Sequence, residues 1–567
     1  MNDSNPAAGD WDITVDFLVV GSGGGGMSAA LTAKDAGLAT LVVEKGKTFG
    51  GSTALSGGGI WIPNNPALRR KGAVDSRESV LKYLSAITAG VVPPARVEAF
   101  VDNGEPLMEL LERSRWMKFF WVKGYSDYHP ELPGGRPQGR TIECVPFNTR
   151  KLGDDERHQR PNSLKGPLGL WVTSKDYHDL AMVKRTWAGR KASLVAAWRV
   201  ASNLIARRHM STGGRALAAR LRMALKDADI PLWLKTSMTE LVVDGAGAVV
   251  GIVAQRDGQT VRIGARAGVL LATGGFDHNQ IMREEFLPAG GRADVSAGAR
   301  QLTGDGIRVG RNLGAALDLM DDAWWMPSVR HPSGAVIPLV SERSIPPSVI
   351  IGMDGKRFAN ESAPYCDFVH AQLAGGHVPA WFVMDAKARS RYPFAQVLPG
   401  AQFPKEYYDT GIVHRADSLE ELAGAIGVPA AELTATVERF NGFARTGQDL
   451  DFGRGDSAYD RYYGDPTMKN PTLDEIDRGP YYAVRIEAGD LGTKGGLVCD
   501  EHSRVLREDG SVIAGLYATG NSSASVMGHD YAGAGATIGP AMVFGYVAAR
   551  HATEAATHHS SATPASY

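Results

Sequence analysis

Near the end of this 567-residue chain, Tyr531 stands before Gly533, Gly535 and Gly539, and a long apolar helix pattern follows. A phenol donates a hydrogen bond, and glycine leaves its backbone N–H open to a ligand. Near the start, Gly21, Gly23 and Gly26 form G-x-G-x-x-G between the run VDFLVV and a helix pattern. The first glycine makes the turn, the second admits a pyrophosphate, and the third lets helix and strand pack closely. The helix start then offers N–H groups and partial positive charge to the phosphates. Glu44, 23 residues after Gly21, ends a second strand. An acid there hydrogen-bonds a ribose diol and repels a 2′-phosphate. More glycine turns follow, GGSTALSGGG at 50–59, ATGG at 272–275 and ATGN at 518–521. A simple NAD domain does not need them. Small and hydroxyl residues that let backbone press against a flat ring system point to FAD.

These groups must be held by regular elements. Residues 15–45 read strand, glycine turn, helix, strand, which predicts the βαβ start of a doubly wound α/β fold. A helix GGRALAARLRMALKDAD and a strand meander with turns at DGAG and RDGQ fill 213–275. Residues 324–492 hold more Trp, Tyr and Pro, and read as an α+β substrate domain inserted into a Rossmann-like FAD-binding domain. The expected division is 1–323 for the first part of the FAD-binding domain, 324–492 for the catalytic domain, and 493–567 for the second part, with a disordered tail from about 553. The net charge of −1 gives no reason to expect nucleic acid. Three scattered cysteines, Cys144, Cys366 and Cys499, suggest neither a disulfide framework nor a metal site. The polar start lacks the character of a signal peptide, and no apolar run is long enough to span a bilayer, so a cytoplasmic protein is expected.

The combination of GSGGGG, EK-x3-FGGST-x2-SGG, TGDG (303–306), DGKRFANES (354–362) and DLGTKGGL (490–497) resembles the fumarate reductase-like flavoproteins. KGYSDYHPELPGGRP (123–137), NESAPY (360–365) and GHDYAGAGATIGPAM (528–542) narrow the resemblance to the 3-ketosteroid Δ1-dehydrogenases. It implies non-covalent FAD held by Gly21, Ser22, Gly23, Gly26, Glu44, Lys45, Gly51, Ser52, Thr53, Ser56, Gly57, Gly58, Ala272, Gly274, Asp305, Gly520, Asn521 and Ile538. It also implies 1,2-desaturation of a 3-ketosteroid. Tyr365 takes the C2 proton with help from Tyr128, the flavin accepts the C1 hydride, and Tyr531 and the Gly535 N–H grip the C3 oxygen. Tyr125, three residues before Tyr128, is the competing assignment, and the motif favours Tyr128. The family commonly reads Y-P-G-P-G where this chain has Ala532 and Ala534, so a less preorganised donor loop is expected. His331 and His529 are read as structural, and Asp305 as ordering a turn.

Two further readings complete the expectations. From Lys184 to Lys226 there are eleven Lys and Arg and no acid, interspersed with Trp187, Leu194, Trp198 and Ile205. This basic insertion, about 165–212, fits either an interfacial helix on an anionic bilayer, with peripheral contact through about 184–210, or a solvated basic face. An external electron acceptor, a quinone or similar, is implied as a partner. The rivals are a 3-ketosteroid Δ4-(5α)-dehydrogenase, another fumarate reductase-like oxidoreductase, and a non-catalytic flavin carrier. The aromatic segments WW at 324–325 and WIP at 61–63 favour an apolar substrate.

Overall fold

The alternation in Phe17, Leu18, Val19 and Val20 sends successive side chains to opposite faces of the Ile13–Val20 strand. Phe17 and Val19 pack with Met27, Ala29 and Ala33 of the Gly24–Asp35 helix. Leu18 and Val20 pack on the other side with Leu41, Val43, Ile252 and Leu271. A strand buried on both faces needs layers above and below it, which is the doubly wound arrangement. In this computed structural model, which describes residues 10–161, 171–288 and 291–561, the strand lies inside an eight-stranded sheet. Its parallel part runs Val512–Ala518, Gln259–Leu271, Ile13–Val20, Thr40–Val43, Leu232–Trp233. The antiparallel strands Thr236–Val243 and Val249–Arg256 extend it from Gln259–Leu271, as the DGAG and RDGQ turns require.

A second sheet of six strands is antiparallel and centres on the long strand Tyr481–Thr493, which pairs with Ala323–Arg330, Ala380–Met384 and Val413–Ala416. The WW pair sits on Ala323–Arg330, with Trp324 in the core shared with the first sheet and Trp325 in the core of the second. The Ala323–Arg330 strand therefore contributes to both cores and lies at the seam between them. The fold is α/β, with an α+β layer built around the second sheet.

One element departs from expectation. The C-terminal helix runs Ile538–Ser561, well past residue 553 where disorder was expected. Its apolar half is buried against the Gly24–Asp35 helix through Met542, Val543 and Ala549. The alanine-rich turns that follow have the highest helix propensity, so they extend a helix already nucleated by packing. In the basic insertion, residues 162–170 lie outside the described residues, and the rest forms helices Ser174–Ala181 and Trp187–Ile205.

The segment ahead of Tyr365 is fixed by buried charge. Arg357 makes a two-pronged bond to Glu361 at 2.7 and 2.8 Å and another to Asp449 at 3.1 and 2.7 Å. Arg454, fully buried, stands 3.3 Å from Glu361, and Arg343 donates to the carbonyls of Glu361 and Ala363 at 2.7 and 2.6 Å. Burial alone would discharge Glu361, but Arg357 and Arg454 outweigh it and hold the carboxyl below its ordinary range. Removing one member of such a set leaves uncompensated charge inside. Glu361→Ala is expected to destabilise the fold by about 3–5 kcal/mol, read as a lower denaturation midpoint in urea. A midpoint equal to wild type would mean that the network does not hold this segment.

Candidate active site

The dinucleotide cradle is built from backbone. Gly21 has φ +114°, and a Cβ there would lie 2.1 Å from the carbonyl oxygen of Ala272, so only glycine lets the two strand ends meet. Gly23 precedes the Gly24–Asp35 helix with no acid in its first turn, so that end keeps its positive polarity for an anion although the Gly24 N–H donates to Thr53. At Gly57 the space is open, with no atom within 4 Å of a Cβ placed there, and at Gly23 the nearest is the Thr53 hydroxyl oxygen at a contact distance of 3.7 Å. The donor set and this open backbone fit a bound FAD.

The other cradle residues are gathered there, and most have their polar atoms engaged with the protein. Ser22 donates to Glu44 at 2.6 Å through its hydroxyl, and the Gly46 N–H donates to the other carboxylate oxygen at 2.8 Å. Thr53 accepts from the Gly24 N–H at 3.0 Å, Ser52 from the Ala299 N–H at 2.9 Å, and Ser56 from the Gly58 N–H at 3.1 Å. Lys45 bridges to Asp305 at 2.6 Å and Thr303 at 2.9 Å, so Asp305 anchors the TGDG turn. Gly51 lies against Gly23, Gly274 against Leu302, and Gly520 against Ala541 of the terminal helix that Ile538 begins. Asn521 accepts from the Trp324 indole at 3.1 Å. Arg160 was missed by sequence reasoning. Its guanidinium is buried in the field of Glu44, and its Nε has no partner among the described residues.

Beyond the cradle, Tyr128, Tyr365 and Tyr531 form a triangle with ring centroids 5.1 to 5.4 Å apart. All three are buried, and the Tyr128 hydroxyl donates to that of Tyr365 at 2.9 Å. Tyr531 faces Thr537 at 3.4 Å, and the Trp324 ring lies 4.9 Å from its own. Tyr125 stacks on Tyr462 at 4.6 Å and adjoins Tyr128. Burial, and then the neighbouring phenols, push Tyr128 and Tyr365 well above the ordinary phenol range. Burial also raises Tyr531, against hydrogen bonds involving Thr537, Tyr365 and the Gly535 backbone. At neutral pH, Tyr531 is therefore a neutral O–H donor. Tyr365 can accept a proton only as its phenolate, a form that burial disfavours and that a neighbour's hydrogen bond must stabilise.

The glycine ladder lies against the Ile60–Trp61 strand. Gly535 has φ +95°, a Cβ on it would meet the Gly59 carbonyl oxygen at 2.2 Å, and its own carbonyl accepts from the Trp61 N–H at 3.1 Å. The expected looseness of a loop without prolines is not what the structure has. The Ala532 carbonyl accepts from the Tyr83 hydroxyl at 2.7 Å and the Tyr128 N–H at 3.1 Å, and the Ala534 carbonyl accepts from Thr141 at 2.8 Å. Hydrogen bonds from outside the loop supply the stiffness that proline rings would supply from within. Tyr128 is braced in turn, because Asp127 accepts from the Trp61 indole at 2.9 Å and pairs with the fully buried Arg140.

Sequence reasoning also missed the charged seam. Asp322 accepts from Trp325 at 2.7 Å, His370 at 2.9 Å and Lys494 at 2.7 Å. Burial opposes its charge, yet Lys494 and the histidines hold the Asp322 carboxyl far below its ordinary range. His529 joins this seam, 3.4 Å from Asp322, which agrees with a structural role. His331 bonds Ser333 in a turn, away from the phenols.

Residues 16–538 match the family model described as FAD binding domain. The chain is 48% identical to the "3-oxosteroid 1-dehydrogenase" of Mycobacterium tuberculosis, over 95% of this chain and 98% of that protein. It is 35% identical to the "4-oxocyclohexanecarboxylate 2-dehydrogenase" of Sinomonas cyclohexanicum, over 95% of this chain and 92% of that one. Its fold superposes with a TM-score of 0.90 on the crystal structure of 3-ketosteroid delta1-dehydrogenase from Sterolibacterium denitrificans in complex with 1,4-androstadiene-3,17-dione, at 40% identity, covering 96% of this chain and all (100%) of that one.

The contact between Gly535 and Gly59 has a direct test. Gly535→Ala is expected to lower stability by about 1–3 kcal/mol and to abolish turnover, because the loop must leave the Ile60–Trp61 strand. Thermal unfolding and steady-state rates on the purified variant check this. An alanine variant as stable and active as wild type would contradict the close approach.

Proposed function

The chain belongs to the FAD-binding-domain flavoproteins and, among them, to the 3-oxosteroid 1-dehydrogenases, and on that premise we propose how its own residues carry out the 1,2-desaturation of a 3-ketosteroid. Bound non-covalently in the cradle, FAD supplies the acceptor for the C1 hydride. Tyr531 O–H and the Gly535 N–H grip the C3 carbonyl oxygen and stabilise the enolate that forms as C2 loses its proton. Tyr365 takes that proton as its phenolate, having released its own proton toward solvent, and becomes a neutral phenol. Burial disfavours the phenolate, and the hydrogen bond donated by Tyr128 at 2.9 Å stabilises its negative charge. This bond, inside a triangle of three buried phenols, is the observation that carries the reading. The Glu44 carboxylate meets the ribose diol, and the Arg160 guanidinium beside it compensates phosphate charge.

A cyclic keto acid would need a free cation facing the site. Lys494, the buried cation beside Trp324, is committed to Asp322, and this favours the uncharged steroid. Anaerobic mixing with androst-4-ene-3,17-dione is expected to bleach the flavin absorbance and yield the 1,4-diene. No bleaching would sink the reading. Tyr365→Phe and Tyr531→Phe should each lower kcat by about 10²–10⁴-fold with FAD still bound.

The partners follow from the substrate's insolubility. Among the described residues no helix is long and apolar enough to cross a membrane. On the Trp187–Ile205 helix, however, Trp187, Trp198 and Ile205 are 76%, 70% and 81% exposed, and Leu194 joins them on one face. Lys184, Arg190, Lys191, Arg207 and Arg208 surround this stripe, which suits an interfacial helix lying on anionic lipid. Arg199 does not belong with them, since it pairs with Asp176 at 2.7 Å and covers Trp171. Such a surface brings the protein to a phase that dissolves both steroid and a quinone-type electron acceptor. Charge reversal at Lys191, Arg207 and Arg208 should cut co-sedimentation with phosphatidylglycerol vesicles at least tenfold at low salt. Unchanged pelleting would refute the membrane contact.

A further inference from the structure

Each phenol of the triangle has an ionisable neighbour in sequence. His129 follows Tyr128, Asp530 precedes Tyr531, and Asp367 lies two residues after Tyr365. These neighbours meet. His129 Nε2 and Asp530 Oδ1 are 2.8 Å apart, and Asp367 Oδ2 stands 3.8 Å from the same nitrogen. The Asp530 oxygen that holds His129 also accepts the Tyr531 N–H at 2.6 Å. The His129 N–H donates to the Tyr83 hydroxyl at 3.2 Å, and Tyr83 in turn donates to Ala532. The segment carrying Tyr128 is thus joined to the segment carrying Tyr531 by a chain of bonds in which the imidazole–carboxylate contact is the charged link.

We infer that His129 and Asp530 are positioning residues whose ion pair sets the separation of Tyr128 from Tyr531. This rests on the reading above, in which Tyr128 supports the base and Tyr531 holds the carbonyl. The two phenols act on adjacent atoms of one steroid ring, so a change in their separation puts one or the other out of reach. The pair lies beside the triangle, partly open to solvent, and acts through the phenols it positions.

The pair is sensitive to pH in a defined direction. Burial alone would discharge His129, but the hydrogen bond to Asp530 and the charges of Asp367, Asp530 and Glu131 outweigh it and hold the ring up to about 9. The other groups acting on these acids are Lys494, which favours the charged form of both, and His370, which acts on Asp367. Burial raises Asp367 to about 6, so both acids and the imidazolium carry charge together only between about 6 and 9. A raised imidazolium contributes fully below its ordinary range near 6.5 and is lost as pH rises through about 9.

The test uses flavin-loaded enzyme, androst-4-ene-3,17-dione and the variants Asp530→Asn and His129→Gln. Rates are taken from pH 6 to 10.5, and the His129 ring is followed by NMR, its signal assigned from its absence in His129→Gln. In wild type, kcat should break downward near the His129 titration midpoint. Asp530→Asn keeps a hydrogen-bond acceptor but loses the charge, so both the break and the midpoint should move down by at least one pH unit. His129→Gln should lose at least tenfold in kcat, with KM changed less than threefold, and should show no such break. A residue that merely supports the fold would lower activity and Tm without moving the break. An active wild type with an unmoved break or midpoint in Asp530→Asn overturns the inference. A wild type inert towards the steroid instead sinks the preceding reading, and this one with it.

Discussion

Three hydroxyl groups from distant parts of the chain must face one another in the absence of bulk water, and that constraint governs the rest of the structure. A buried phenol without a partner forfeits its hydration, so each hydroxyl must be given a bond or a substrate. Tyr128 solves this by donating to Tyr365. Tyr531 finds Thr537, whose 3.4 Å separation is long for a hydroxyl pair. The phenol with the weakest protein partner is the one assigned to the carbonyl oxygen. A ligand would satisfy it better than the protein does, which is a reasonable condition for a group that must release its product.

Holding the triangle together falls to groups that do no chemistry. Asp127 and Arg140 lie behind Tyr128, Arg357, Glu361 and Arg454 behind Tyr365, and Asp322 and Lys494 beneath Trp324. All are buried or nearly so, where a mispaired charge is expensive and an alternative arrangement correspondingly rare. Such networks need not add net stability over apolar packing. What they give here is registry: Lys494 and Asp322 flank the paired strands Ala323–Arg330 and Tyr481–Thr493 and fix their register, which places Trp324 against Tyr531.

What could be read from the sequence follows the range of the interaction. The dinucleotide cradle is legible because a strand, a turn and a helix start within 45 residues dictate their own geometry. The exposed stripe at Trp187, Leu194, Trp198 and Ile205 is legible for the same reason, since helical spacing alone puts them on one face. The tyrosines are not legible from the residues themselves. Nothing local distinguishes Tyr128 from Tyr125, and only the resemblance of the surrounding motif selects it. Long-range pairs such as Asp322 with Lys494, 172 residues apart, leave no trace in either neighbourhood. Beyond residue 553 the polar composition reads as disorder, whereas the propensity of alanine next to an anchored helix continues the helix.

The Ala532 and Ala534 substitutions illustrate how stiffness can be moved rather than lost. A proline restricts φ through its own ring and needs no neighbour, whereas the alanines leave φ free and rely on carbonyl acceptors. Those acceptors are filled by Tyr83, by the backbone of Tyr128 and by Thr141, which belong to other elements. The conformation of the donor loop therefore depends on the segment carrying Tyr128 being in place. In a proline loop the carbonyl grip would be set before the base arrives. Here grip and base are assembled together, and a disturbance of the Tyr128 segment is transmitted to Tyr531 through the Tyr128 N–H and the Tyr83 hydroxyl, which share the Ala532 carbonyl, and through one ion pair.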